Sequence, residues 1–193
     1  MSEVLKIDTT TGFVAEENKP YTVLHESFSG LRKTMPEFDV STLPNTAMNN
    51  VIANLKMTMK LYGAIGIAAN QVGVMERLFL IGTDQFQMVC FNPEVVNHAA
   101  DLKKDKEVCL SHPGLAVTIE RPSGIDVKFY NENGELQEVH LDGLTARCFL
   151  HELDHLNGIR MIDRVKPVAL QMARKKQSKM IQQYVRNKNN GKS

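Results

Sequence analysis

Residues 142–158 read DGLTARCFLHELDHLNG and predict an amphipathic α-helix. Asp142 suits the N-cap position of this helix, and Asn157-Gly158 suits its C-terminal cap. His151 and His155 lie four residues apart, so both side chains project from one face of the helix. Two imidazoles at this spacing can hold one metal ion.

Glu152 lies beside the two histidines and does not need to bind the ion itself. A carboxylate there can take a proton from water that the ion has made acidic enough to supply hydroxide near neutral pH. The alternative is a polar helix segment exposed to solvent. Because the histidine face continues into Leu144 and Cys148, we expect it to point toward the core, where unpaired polar groups are costly. Buried histidines at this spacing need a shared partner.

A catalytic site of the zinc type needs three protein ligands and an open position, so a third ligand is expected elsewhere in the chain. Cys109 is the best candidate, because it lies in a polar segment directly ahead of a predicted strand. Cys90 lies in an apolar strand pattern and Cys148 one helical turn before His151, so we interpret both as core residues. An odd number of cysteines disfavours a disulfide framework and favours reduced thiols in the cytoplasm.

A third segment, residues 66–71, has the sequence GIAANQ. Its small residues let another backbone approach closely, and Gln71 offers an amide donor. A glycine at a helix end with packed alanines would look the same, so the segment alone favours a structural role.

The rest of the chain predicts an α+β fold in a single domain. Apolar residues at helical spacing between Met48 and Tyr62 predict one helix, and a further helical pattern runs from about Pro167 to Arg186. Strands are predicted at residues 78–81, 86–91, 115–119, 125–129 and 136–141. The first 44 residues are polar and rich in turns, and we expect them to wrap the surface.

The charge pattern limits the partners that we expect. A formal net charge of +1 argues against wholesale nucleic-acid binding, and the N-terminus has no apolar run of signal-peptide or membrane-spanning length. After Asp163, however, the chain has no acidic residue and is rich in lysine and arginine. A basic helix of this kind suits a polyanion, and the alternative is a solvated helix docked on the domain. The residues expected to make that docking contact are Leu170, Met180, Ile181 and Tyr184.

In combination, the three segments resemble the three motifs of peptide deformylases, and the likeness extends over roughly residues 20–185. The resemblance implies small mixed or antiparallel β-sheets packed around a central metal-binding helix. It also implies a cytoplasmic hydrolase that removes the formyl group from N-formylmethionyl peptides of nascent chains and releases formate. We expect an N-terminal extension at 1–20, a catalytic domain at 21–165 and a basic helix and tail at 166–193.

The resemblance also implies roles for individual residues. The implied ligands of a divalent ion, usually Fe²⁺ and replaceable by Zn²⁺, Ni²⁺ or Co²⁺, are Cys109, His151 and His155. Glu152 becomes the general acid and base, and Gln71 and the backbone N–H of Leu110 become donors to the formyl oxygen. Glu107 is expected to orient a ligand histidine. The implied substrate-binding residues are Ile65, Gly66, Leu144 and Arg147.

Four positions depart from the family pattern. Ala64 and Val108 replace glycines and Leu150 replaces a glutamine, and none of these changes removes a catalytic side chain. Val108 is expected either to narrow the cleft or to point away from it. Arg147 stands where the family tends to be apolar. We expect it either to alter the methionine pocket, by favouring a polar or acidic substrate residue or by pairing with Asp105, or to snorkel into solvent.

Two other functions fit the same residues. One is a zinc peptidase that uses the histidine pair, although such enzymes generally take a third histidine or a carboxylate as ligand. The other is a homologue that binds formyl peptides without catalysis. The family resemblance further implies contact with the ribosome through the basic tail, and we expect neither a membrane partner nor sequence-specific nucleic-acid binding.

Overall fold

The computed structural model describes residues 19–83 and 85–189. Within these ranges the chain forms three α-helices and two antiparallel sheets, which confirms the predicted α+β class. Most of the expected N-terminal extension, residues 1–18, lies outside the described residues, as do residues 190–193 of the expected tail. None of the helices in the described ranges is long and apolar enough to cross a membrane.

The helices and strands follow one another with short connections. The helices are α1 (Thr46–Tyr62), α2 (Gly143–Leu156) and α3 (Pro167–Asn189). The strands are β1 (Gly66–Ala68), β2 (Leu78–Thr83), β3 (Phe86–His98), β4 (Leu102–Val108), β5 (Ala116–Pro122), β6 (Gly124–Tyr130) and β7 (Leu136–Asp142). All predicted helices and strand segments are present, and most are longer than expected; β3 extends furthest beyond its predicted range, to His98.

Two strands have no counterpart among the predicted segments. β1 has only three residues, too few to display an alternation. β4 has the sequence LKKDKEV, in which every residue but Glu107 is exposed, so its polarity hides it from a search for apolar runs. The polar segment around Cys109 therefore lies between two strands, β4 and β5. The sequence analysis predicted only the second of these strands.

Residues on alternate sides of the larger sheet pack against different helices. The strand order of this sheet is β1-β2-β3-β6-β7. On β2, Leu78 and Leu80 join a core cluster with α1, whereas Phe79 and Ile81 join a second cluster with Phe149 of α2. Because side chains alternate across a strand, α1 and α2 lie on opposite faces of the sheet.

The ends of α1 and α2 are fixed in different ways. Asn45 caps α1 by accepting a hydrogen bond from the backbone N–H of Met48, 2.9 Å away, and Gly63 ends it in the left-handed conformation. Asp142 occupies the predicted N-cap position of α2, but its side chain makes no capping hydrogen bond. Asn157 is the C-terminal cap of α2, as predicted.

Only the first half of α3 packs against the domain. Leu170 and Ala173 contact a third core cluster, and Gln177 donates a 2.7 Å hydrogen bond to the carbonyl of Pro113. The predicted docking contacts further along the helix are wrong, because their side chains are at least half exposed. The residues concerned are Met180 (50%), Ile181 (52%) and Tyr184 (68%).

We expect Phe149→Ala to lower the free energy of unfolding by about 3–5 kcal/mol, because it empties a site in the core. The Phe149 ring is fully buried and meets the Phe79 ring edge-on, with 4.9 Å between centroids. Urea denaturation would measure the change. Leu61→Ala on α1 is the control, since Leu61 is 64% exposed and its replacement should cost less than about 0.5 kcal/mol. Equal losses in the two variants would contradict the prediction.

Candidate metal centre and cleft

Three side chains from two parts of the chain converge on one point. The ligand atoms of Cys109, His151 and His155 all lie within 4.8 Å of one another. The histidines come from one face of α2, and Cys109 follows β4 directly. A thiol and two imidazoles are ligands that suit a divalent transition metal, and three of them leave a position open. The residues therefore fit a catalytic metal ion.

Hydrogen bonds and burial orient the two imidazoles. His151 Nδ1 donates to Glu107 Oε2 at 2.9 Å, which leaves Nε2 for a metal ion. His155 Nε2 lies 3.2 Å from Cys109 Sγ, and its Nδ1 has no hydrogen-bond partner among the described residues. Burial lowers the pKa of His155 well below its usual range, so the ring is neutral, as a metal ligand must be.

Glu107 stays ionised although it is buried. Burial raises the pKa of its carboxyl, but hydrogen bonds from Arg121 and His151 outweigh this effect and hold the pKa well below the usual range. Arg121 also donates to Asp154 Oδ2 at 2.8 Å, and Asp154 accepts from Arg164 as well. Glu107 therefore belongs to a buried network of alternating charges.

Arg121 and Asp154 were not assigned any role from the sequence. A signal for Arg121 is nevertheless present, because Val117, Ile119 and Arg121 are the buried positions of β5 at a spacing of two. An arginine on the inward face of a strand requires buried carboxylate or carbonyl partners. The sequence offers no comparable signal for Asp154.

The carboxyl group of Glu152 is buried beside the ligand histidines. Burial raises its pKa to about 7, and its Oε2 has no hydrogen-bond partner within the described part of the chain. A carboxyl group with a pKa near neutrality can both accept and donate a proton at physiological pH. This environment suits a general acid and base.

Gln71 presents its amide N–H₂ to the segment that carries Cys109. Its Oε1 accepts a 2.9 Å hydrogen bond from the backbone N–H of Ala68, which fixes the orientation of the amide. Its Nε2 then lies 3.2 Å from Ser111 Oγ and 3.5 Å from Cys109 Sγ. The amide is thus held as a donor next to the metal ligands.

A cleft of about 490 Å³ opens beside these side chains. Its walls contain Gln71, Glu107, Cys109, Leu110, His151, Glu152 and all four residues expected to bind substrate, namely Ile65, Gly66, Leu144 and Arg147. Leu144 is 65% exposed, so the histidine face of α2 opens into the cleft at this end instead of continuing into the core. Cys148 joins the core cluster as predicted and also lines the cleft.

The three other residues that depart from the family pattern lie at different places relative to the cleft. Ala64 and Val108 lie in its wall, and the Val108 side chain is largely exposed. Leu150 packs instead against the core cluster beneath α2. Of these three replacements, the two at the wall are the ones placed to affect a ligand in the cleft.

Arg147 neither extends into solvent nor pairs with Asp105. Its side chain is buried, so it does not snorkel into solvent, and its carboxylate partner is Glu107 instead of Asp105. The guanidinium also donates to the carbonyls of Ile119 and Lys103. The charge of Arg147 is therefore engaged by the protein, although the residue lines the cleft.

Comparisons with known proteins agree with this geometry. A sequence profile described as polypeptide deformylase matches residues 25–171. The chain is 38% identical over 130 residues to a peptide deformylase of Thermotoga neapolitana, covering 67% of this chain and 79% of the relative. A peptide deformylase structure from Legionella pneumophila aligns with a TM-score of 0.77 and 32% identity, over 86% of this chain and 98% of that one. A Synechococcus elongatus peptide deformylase in complex with actinonin aligns with a TM-score of 0.76 and 32% identity, over 86% and 93% of the two chains.

We expect Gly66→Ala to disturb the site, because a methyl group at Gly66 would lie 2.5 Å from Glu152 Oε1 and 2.7 Å from Cys148 Sγ. Overpacking of this kind typically costs about 1–3 kcal/mol, which urea denaturation would measure. Gly124→Ala is the matched control in another strand, since the nearest atom there, 3.3 Å away, belongs to the His140 side chain. A Gly66→Ala variant no less stable than Gly124→Ala would contradict the close packing.

Proposed function

The chain belongs to the polypeptide deformylase family, and on this premise we propose how its residues carry out the reaction. It is a peptide deformylase, a metal-dependent hydrolase that acts on formylated peptides. The observation that carries the proposal is the convergence of Cys109, His151 and His155 at a cleft that also contains Glu152. A zinc peptidase and a non-catalytic binding homologue are not favoured by these relatives.

We propose that the Cys109 thiolate and the Nε2 atoms of His151 and His155 hold a divalent ion. The proposed ion is Fe²⁺, which Zn²⁺, Ni²⁺ or Co²⁺ can replace, since all of them accept nitrogen and sulfur ligands. Such an ion supplies a Lewis acid and lowers the pKa of water at the open position. Support comes from the ligand set and from the hydrogen bond that orients His151.

Glu152 is the proposed general acid and base. In the first step its carboxylate takes a proton from the attacking water, and in the second it gives that proton to the departing amine nitrogen. The C–N bond of the formyl amide breaks and formate is released. The supporting observations are its burial beside His151 and its pKa of about 7.

Two donors are proposed to stabilise the negative charge that develops on the formyl oxygen. They are the side-chain amide of Gln71 and the backbone N–H of Leu110, both of which lie in the wall of the cleft. Gln71 needs no reorientation for this task, because Ala68 already holds its carbonyl oxygen. Donors that are fixed before the reaction stabilise a developing oxyanion most effectively.

The proposed substrates are N-formylmethionyl peptides of nascent chains. Ile65 and Leu144 offer apolar contacts to a methionine side chain, and Gly66 leaves room for a close approach of the substrate backbone. A formylated peptide lacks the terminal ammonium group. The cleft therefore needs no anionic side chain to pair with such a group in the substrate. Arg147 contributes to the wall of the pocket with its charge already bonded to Glu107.

We propose that the basic side chains of α3 contact the ribosome and so hold the enzyme near emerging chains in the cytoplasm. The exposed cations of this helix include Lys175, Lys176, Lys179, Arg186 and Lys188. Arg174 is not one of them, because it donates to Glu26 Oε1 at 2.6 Å. A cluster of exposed lysine and arginine side chains suits the phosphate backbone of RNA.

We expect Glu152→Ala to abolish formate release from formyl-Met-Ala-Ser by protein loaded anaerobically with Fe²⁺, while the variant still binds the metal. Losing a general acid and base typically costs about 10²–10⁴-fold in rate. Glu120→Ala is the matched control, since this carboxylate lies on β5 and pairs with the exposed Lys104. Formate release and metal content measured on the same samples decide the outcome. Undiminished activity of Glu152→Ala would refute its proposed role.

Reversing three charges, at Lys175, Lys176 and Lys179, should weaken ribosome binding several-fold and flatten its dependence on salt, because fewer phosphate contacts remain. Co-sedimentation across salt concentrations measures this. The control carries the same number of reversals at Lys33, Lys60 and Lys104, which are exposed elsewhere. Both variants should hydrolyse a short formyl peptide at the original rate. Equal binding by the two variants would rule out α3 as the contact.

A further inference from the structure

We propose that Arg147 is a positioning residue for the metal centre: it holds α2, which carries both ligand histidines, against β4, which leads into Cys109. The proposal rests on the proposed metal site and concerns a residue that is not itself one of the proposed metal ligands. Arg147 acts through the carboxylate of Glu107 and two backbone carbonyls.

The carboxylate of Glu107 bridges two residues that lie one helical turn apart. Arg147 and His151 are four positions apart on α2, so their side chains extend from the same face. Arg147 Nη1 donates to Glu107 Oε1 at 2.8 Å, and His151 Nδ1 donates to Glu107 Oε2 at 2.9 Å. The two contacts together fix the plane of the carboxylate relative to α2, and with it the orientation of the His151 ring.

Arg147 also binds the backbone of the two-stranded sheet. Its Nη1 donates to the carbonyl of Ile119 on β5 at 3.0 Å, and its Nη2 donates to the carbonyl of Lys103 on β4 at 2.7 Å. One planar guanidinium thus connects α2 to both strands of this sheet. Because Cys109 directly follows β4, this connection sets the distance between the cysteine ligand and the histidine ligands.

Arg121 cannot substitute for Arg147 in this role. Arg121 binds both oxygens of Glu107, at 2.8 and 2.9 Å, but it belongs to β5. It reaches α2 through a 3.5 Å contact with the carbonyl of Leu150 and through a shorter, 2.8 Å hydrogen bond to Asp154 near the C-terminal end of the helix. Arg147 anchors the helix about two turns earlier, on the other side of His151. The two arginines thus hold α2 to the smaller sheet on both sides of His151.

The network also supplies a matched control. Arg164 donates to Asp154 on α2 and, among the described residues, has no hydrogen bond to Glu107. Arg164→Met and Arg147→Met each remove one arginine from the same network of alternating charges. If arginines served stability alone, both variants would leave the metal site as it is. A positioning role predicts a change at the metal site in Arg147→Met only.

The experiment titrates metal-free full-length protein with Co²⁺ alone and follows the absorption bands that report thiolate ligation and coordination geometry. We expect Arg147→Met to bind Co²⁺ about 10–100-fold more weakly than the unsubstituted protein, the range typical of lost outer-shell contacts, and with shifted bands. Arg147→Lys should also bind more weakly, because an ammonium group cannot bind Glu107 and two carbonyls in the same planar geometry. Arg164→Met should retain the original affinity and spectrum.

Original Co²⁺ affinity and spectrum in a folded Arg147→Met variant would overturn the inference while leaving the proposed function intact. If that variant does not fold, Arg147→Lys decides in its place: weaker Co²⁺ binding supports the inference, and unchanged binding overturns it. Absence of Co²⁺ binding by the unsubstituted protein would instead overturn the proposed metal site and this inference with it.

Discussion

The buried carboxylate of Glu107 joins the two parts of the molecule that form the metal centre. An ionised group in this position is stable only when charged or polar partners surround it, and its partners come from β5 and from α2. Because the Glu107 carboxylate must be paired, its hydrogen bonds hold the sheet of β4 and β5 against α2. Because Cys109 follows Glu107 by two residues and His151 donates to it, the approach of cysteine to histidine depends on this carboxylate.

The parts of the site that depend on local spacing are predictable from the sequence. His151 and His155 share a face because any helix places residues four apart together, and Glu152 follows from its position beside them. The convergence of Cys109 on that pair is a long-range property. The sequence indicates it through the polar segment around Cys109, the apolar settings of Cys90 and Cys148, and the family resemblance. The partner of Arg147 is harder still to predict. Asp105 and Glu107 lie on the same side of β4, but only Glu107 is buried.

The fold shows the same division between local and long-range information. α1 is predictable because its apolar residues recur at the helical period, and the strands beneath it are predictable because they are apolar. No pattern indicates β1, yet this short strand brings Gly66 against Glu152. The second half of α3 shows the opposite case. The apolar residues in this half predict a packed face. However, the helix extends beyond the surface of the domain, so these residues remain exposed.

The composition of β4 bears on how the molecule avoids aggregation. Among the described residues β4 pairs with β5 on one side only, so no strand covers its other edge, which is where a strand of another molecule could pair. Lys103, Lys104 and Lys106 are exposed along this strand. Lysines on an edge strand oppose such pairing, because two copies would bring like charges together. The residues that make β4 inconspicuous in the sequence thus keep the strand beside the cleft from becoming a template for intermolecular sheets.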